Sequence, residues 1–137
     1  MVKYDWLTIT CLIGLPGSGK TTYIKQFNPK YNAIFDDILT PEDVVKFIGT
    51  CNEFGGLIVI ADCNLCNPQI LEVFETIIKK EIHREAKLEY IYFENNPDAC
   101  RANVKLRNDG RNVEDSIIAL SRIYDPPIDA IKIWRHE

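Results

Sequence analysis

The stretch that most constrains this chain is residues 14–21, Gly14-Leu15-Pro16-Gly17-Ser18-Gly19-Lys20-Thr21, a complete G-x-x-x-x-G-K-[ST] pattern. A β-branched and apolar run, Leu7 to Ile13, precedes it, and a helical pattern, Thr21 to Phe27, follows. A strand that turns on glycines into a helix can aim its backbone N–H groups inward and form a nest for an anion. The helix brings the positive end of its dipole to the same place. A lysine at position 20 is the type that reaches β- and γ-phosphates, and a hydroxyl at position 21 the type that ligates Mg²⁺. The expected phosphate contacts are Gly14, Pro16, Gly17, Ser18, Gly19, Lys20, Thr21 and Thr22. The strand–turn–helix setting separates such a loop from a Gly-rich turn with an exposed lysine.

The remaining chain continues the alternation. Strands are predicted at Asn32–Phe35, Leu57–Ala61 and Leu88–Phe93, and helices at Pro41–Thr50, Pro68 to about Glu81, Pro97–Leu106 and Val113–Tyr124. Thr40-Pro41, Asn67-Pro68 and Asn96-Pro97 each set a capping side chain before a proline, whose fixed φ suits the first helical position. Asp43, three residues after Thr40, adds a relative of the capping box. Ile128 to Trp134 is read as a further short strand. Strands alternating with helices imply an α/β fold in three layers, a mostly parallel sheet of four to five strands with helices on both faces. Ligands of such sheets bind beyond the carboxyl ends of the strands.

Length and composition narrow the class. With 137 residues and no repeat or linker, the chain is expected to be a single domain, 1–137. The longest apolar run, Leu57 to Ala61, is far short of the ~20 residues of a membrane-spanning helix. The N-terminus lacks the regions of a signal peptide. Five cysteines, an odd count, argue against a disulfide scaffold. A reducing, cytoplasmic setting is expected. The net charge of −4 disfavours a wholly basic, nucleic-acid-coating surface but leaves room for a local basic channel.

Phosphoryl transfer needs a metal, positive charge on the transferring group and a base facing the acceptor hydroxyl. Phe35-Asp36-Asp37 closes the second strand, and Asp36 is the expected base, with Asp37 expected to cap or solvate a loop. Asp62, after the apolar third strand, stands in the Walker-B arrangement and is expected to hold a metal-bound water or orient an arginine, with a loop cap as the alternative. Residues 101–111, RANVKLRNDGR, carry four basic residues and one acidic one. Arg101 and Lys105 read as a solvated face, Arg107 as the transition-state arginine and Arg111 as second choice and nucleotide contact. The guanine-reading Asn-Lys-x-Asp pattern is missing, which lowers a GTPase.

Together, GLPGSGKTT, the FDD of 35–37, the IADCNLCNP of 60–68 and the arginine segment resemble the 5′-hydroxyl polynucleotide kinase domain of phage enzymes, within the small P-loop kinases. The resemblance runs from the first strand to about Tyr124. It implies a P-loop NTPase fold with a lid-like segment at about 97–111. Lys20 and Thr21 would be the phosphate and Mg²⁺ contacts, Asp36 the general base and Arg107 the γ-phosphoryl stabiliser. Asp62 would take the third-strand carboxylate position and a place near the metal. The implied activity is an ATP- and Mg²⁺-dependent kinase acting on the 5′-OH of DNA or RNA. Two positions depart from the family. Leu39 stands where the phage enzymes have an arginine gripping the acceptor's phosphate, and the arginine segment aligns with a one-residue shift. Leu39 favours an alternative, a kinase of a nucleoside, nucleotide or metabolite. A second alternative is a nucleotide-binding module without transfer activity.

Other constellations carry less. Cys63-Asn64-Leu65-Cys66 has C-x-x-C spacing, but no second paired knuckle accompanies it for zinc, and its neighbours Asp62 and Asn64 belong to the kinase-like pattern. The two tryptophans and six tyrosines are scattered and form no base-stacking platform.

Overall fold

In the computed structural model the described residues are 2–27, 31–38, 40–107 and 112–133. The chain runs β1 (Leu7–Ile13), α1 (Lys20–Phe27), β2 (Ala33–Asp36), α2 (Pro41–Glu53), β3 (Gly56–Ala61), a 3-10 turn (Cys63–Cys66), α3 (Pro68–Glu81), β4 (Lys87–Tyr92), α4 (Pro97–Arg107) and α5 (Glu114–Ser121). The four strands form one sheet in the order β2-β3-β1-β4, and every pairing is parallel. The fold is α/β, and among the described residues no helix is long and apolar enough to cross a membrane.

The capping signals hold in atomic detail. Thr40 and Asp43 form a reciprocal capping box, with Asp43 N donating to Thr40 Oγ1 at 3.2 Å and Thr40 N to Asp43 Oδ2 at 3.1 Å. Asn67 Oδ1 accepts from Gln69 N at 3.0 Å, and Asn96 Oδ1 from Ala99 N at 3.1 Å.

Side chains of the strands alternate between two cores. Leu7, Ile9, Cys11 and Ile13 of β1 join Ile58 and Ile60 of β3 under Phe47 and Cys51 of α2, Phe74 and Ile78 of α3, Cys100 of α4 and Ile117 of α5. On the other face Leu12, Val59 and Ala61 pack with Ile24 of α1 and with Phe93. The helices after β1 and β3 thus leave these neighbouring strands on opposite faces, which opens a crevice at the strands' carboxyl ends. Register brings those ends level: Ile13 lies opposite Tyr92, Leu12 opposite Ala61, and Asp36 opposite Ala61.

Three local features differ from expectation. The Cys63–Cys66 turn, too short for a periodic signal, is organised by Asp62 as its N-cap. Helix α5 stops at Ser121, because Asn95 Nδ2 takes the carbonyls of Ser121 and Tyr124 at 2.7 and 2.9 Å, satisfying end groups that a longer helix would use internally. Buried Tyr124 then turns inward, its hydroxyl shared between the carbonyl oxygens of Phe93 and Ile13. The tail contributes one parallel bridge, Ile131 to Phe93, and Trp134 lies outside the described residues.

Candidate functional site

At the carboxyl edge of the sheet lies a cavity of about 240 Å³. Its floor is the loop between β1 and α1, with Pro16, Gly17, Ser18, Gly19, Lys20, Thr21 and Thr22 all in the wall. Gly14 lies just outside it, packed so closely that a Cβ there would fall 2.5 Å from Ser18 Oγ. Gly17 has φ 84°, a left-handed conformation that glycine adopts freely, and a Cβ at this position would fall 2.5 Å from the carbonyl oxygen of Cys100. The loop therefore turns where α4 presses directly against it.

Lys20 is buried, and its ammonium donates to the carbonyl oxygens of Gly14 at 2.6 Å and Leu15 at 2.9 Å, and to Ser18 Oγ at 3.3 Å. These three contacts match the three N–H donors of the group and wrap the loop around it. Burial lowers the Lys20 pKa, while the nearby thiols of Cys63, Cys66 and Cys100 and the Asp37 carboxylate pull the other way. The cation is the positive centre of the cavity floor.

The acidic side of the cavity comes from the end of β2. Thr21 Oγ1 donates to Asp36 Oδ2 at 3.5 Å, so the hydroxyl at the start of α1 and this carboxylate face each other in the wall. Asp37, exposed in the loop that follows β2, is also in the wall. Its φ of 64° is a left-handed turn, a region in which Asp is among the enriched non-glycine residues. The turn is held by Asp37 N donating to the Ala61 carbonyl at 2.7 Å.

Asp62, expected near a metal, is not in the wall. It is buried, with Oδ1 accepting from Asn64 N at 2.9 Å and Oδ2 from Ile38 N at 3.2 Å. Its geometry is that of a cap tying the end of β3 to the segment after β2. Burial raises its pKa above the usual carboxylate range, partly offset by the Asn64 N–H. Among the described residues no group of three or more His, Cys, Asp or Glu side chains could hold a metal ion. Thr21 and Asp36 nevertheless offer hard oxygens in the cavity, the donor type Mg²⁺ takes in small number alongside waters and phosphates.

Helix α4 supplies the remaining wall. Exposed Arg107, its last residue, lines the cavity, as does buried Asn103 one turn earlier, whose Nδ2 donates to the Gly17 carbonyl at 3.1 Å. Arg101 is not simply a solvated cation: it meets Glu114 of α5 at 2.8 Å and Asp98 at 3.7 Å, holding the two helices together. Lys105 is exposed, as expected, and Arg111 and Leu39 lie outside the described residues.

The structure thus gathers Lys20, Thr21, Asp36 and Arg107 around one cavity and sets Asp62 apart. Sequence reasoning missed Asp37, Asn103, Cys63 and Val113 as wall residues. Only Asp37 carried a signal, its place beside Asp36 at a strand end. All five cysteines are unpaired, and burial pushes Cys66 up to about 12 and Cys100 to about 11.

Comparison with known proteins gives a narrow result. No protein-family model matches the chain. It is similar to "Uncharacterized protein R277" of Acanthamoeba polyphaga mimivirus, with 32% identity over 121 residues, covering 83% of each chain. Identity and coverage of this extent show that the chain belongs to the same family as that mimivirus protein.

Proposed function

We propose that the protein is an ATP- and Mg²⁺-dependent kinase of the P-loop NTPase fold, transferring the γ-phosphoryl group to a hydroxyl, with the 5′-OH of DNA or RNA as acceptor. The observation that carries this is the convergence of Lys20, Thr21, Asp36 and Arg107, from three separate elements, on one cavity above a glycine loop. The strand order and the loop's place between β1 and α1 support it. Five unpaired thiols fit a reducing, cytoplasmic setting.

In this mechanism the β,γ-phosphates lie on the loop N–H groups and the end of α1, and Lys20 turns an N–H from Ser18 Oγ, its longest contact, to a phosphate oxygen. Thr21 would hold the Mg²⁺. The ion supplies charge neutralisation on the donor phosphates, and Asp62 is not required for it because Mg²⁺ keeps several waters. Asp36 accepts the acceptor's proton as its oxygen bonds to the γ-phosphorus, and the bond from that phosphorus to the β,γ-bridging oxygen breaks, releasing ADP. Arg107 neutralises charge on the equatorial oxygens. Positioning and electrostatics provide the acceleration.

A second reading is a kinase of a small neutral hydroxyl compound. Asp37 favours it, because a second carboxylate beside the base repels a phosphorylated acceptor, and so does leucine at position 39. Incubation with γ-labelled ATP and a panel of 5′-OH DNA, 5′-OH RNA, nucleosides and nucleotides tests both. Label on oligonucleotides that is lost in Asp36→Asn supports the first, and label only on nucleosides supports the second. Binding of ATP without any labelled acceptor would leave a non-catalytic nucleotide module.

A further inference from the structure

Four carbonyl groups of the glycine loop are held by the protein's own donors. Lys20 takes those of Gly14 and Leu15, Ser18 N also meets Leu15 O at 3.0 Å, and Tyr23 N takes Gly19 O at 2.9 Å. All of these donors belong to the loop and α1. The Gly17 carbonyl is different: its donor is Asn103, 86 residues further along the chain.

We infer that Asn103 is a positioning residue of this site, a latch from α4 that holds the Gly17 carbonyl away from a bound anion and sets the reach of Arg107. The inference rests on the phosphate-site reading and adds a residue to it. An anion nest works only if N–H groups, and not carbonyl oxygens, face the charge. Gly17, at φ 84°, has no Cβ to resist a peptide flip, and the peptide that follows it is held at both ends, Ser18 N on Leu15 O at 3.0 Å and Gly17 O on Asn103 Nδ2 at 3.1 Å. Asn103 supplies the half of that grip that comes from α4 and keeps the carbonyl oxygen off the charge. A buried amide on a helix face is costly without a partner, so its pairing with the loop is a specific arrangement and not simple packing.

The same bond determines where Arg107 stands. Asn103 and Arg107 are four residues apart on α4, hence on one face, and both line the cavity. A Cβ on Gly17 would fall 2.9 Å from Val104 Cγ2 and 2.5 Å from the Cys100 carbonyl, so this helix is seated on the loop itself. A shift of the loop under α4 therefore moves the guanidinium relative to the phosphates. Donor binding and the transition-state charge are linked through one hydrogen bond.

The test compares the full chain with Asn103→Ala and with Asn103→Asp, which keeps the shape but replaces the donor. Three readouts are needed: amide hydrogen exchange without nucleotide, ATP·Mg²⁺ affinity by titration, and kcat for γ-phosphoryl transfer. Exchange in residues 14–20 should rise while the sheet amides stay protected, and affinity should fall about tenfold, the scale of one buried hydrogen bond. In Asn103→Ala, kcat should fall by a further factor as Arg107 loses its register, and Asn103→Gln should restore part of both. Unchanged loop exchange and affinity in Asn103→Ala would overturn the latch. If Asn103→Ala does not fold, as loss of sheet protection would reveal, Asn103→Asp decides in the same way. A wild-type protein that binds no ATP·Mg²⁺ would overturn the phosphate reading and the ligand role of the latch. Loop exchange that still responds to Asn103→Ala would then show the bond to be purely structural.

Discussion

Thr21 Oγ1 meets Asp36 Oδ2 across 3.5 Å, joining the first turn of α1 to the last residue of β2. A hydroxyl suited to a metal and a carboxylate suited to a proton thus stand side by side although 15 residues separate them. Their proximity divides the roles of the two neighbouring aspartates. Asp36 faces the start of α1, whereas Asp37 stands near enough to Lys20 to oppose, in small part, the burial that lowers the lysine's pKa.

Asp36→Asn should lower phosphoryl transfer by about 10²–10⁴-fold, the usual contribution of a positioned base. ATP affinity should change little, because the amide keeps the size and one acceptor oxygen. Steady-state transfer rates with parallel nucleotide titrations check this. Equal transfer by Asp36→Asn and wild type would remove Asp36 from the base role.

Arg107→Ala should reduce kcat by about 10³-fold or more while leaving the melting temperature unchanged, since an exposed helix-terminal arginine contributes to charge stabilisation and little to packing. Full activity in this variant, measured under saturating ATP, would exclude Arg107 as the transition-state cation.

Cys63 should be the thiol that alkylates first in the native protein. It lines the cavity and is half-buried, whereas Cys11, Cys51, Cys66 and Cys100 are buried. Burial raises its pKa above 9.0, so the folded protein holds the neutral thiol and iodoacetamide labelling at neutral pH is slow. The rate should climb with pH beyond 9.0, and ATP·Mg²⁺ should suppress it. Peptide mapping by mass spectrometry identifies the site, and labelling indifferent to nucleotide would contradict a phosphate site beside Cys63.

Asp62→Ala should destabilise the fold by about 1–3 kcal/mol, because the N–H groups of Asn64 and Ile38 lose their acceptor. Asp62 is also raised above 3.8 by burial, so the folded state holds its proton more tightly than the unfolded state does. Its contribution is whole below 3.8 and declines as pH rises through the raised value. The stability gap between wild type and Asp62→Ala should therefore widen on acidification through that window. Denaturant unfolding at several pH values measures it, and a gap that narrows on acidification would mark Asp62 as an ion-paired carboxylate instead.

The sequence was most informative where the chemistry is local. Residues 14–21 specify their own turn, and the three cap-proline pairs mark helix starts through contacts within three residues. The strand alternation followed from apolar runs such as Gly56–Ala61. Long-range pairings left no trace in the chain. Asp62 carries the pattern of a metal-site carboxylate, yet the backbone of Ile38 comes within reach only because Asp37 adopts a left-handed turn. Asn103 looks like an ordinary polar helix residue until α4 settles on Gly17. Val113, at the N-cap of α5, enters the wall through the docking of α4 and α5, which Arg101 and Glu114 help to hold.

The most direct measurement is a calorimetric titration of the protein with ATP·Mg²⁺, repeated with Lys20→Met. A phosphate site centred on Lys20 predicts saturable one-to-one binding to the wild type and a loss of at least about a hundredfold in the variant, as expected when a buried cation leaves an anion without its partner. The absence of binding to the folded wild type, or equal binding by Lys20→Met, would contradict it.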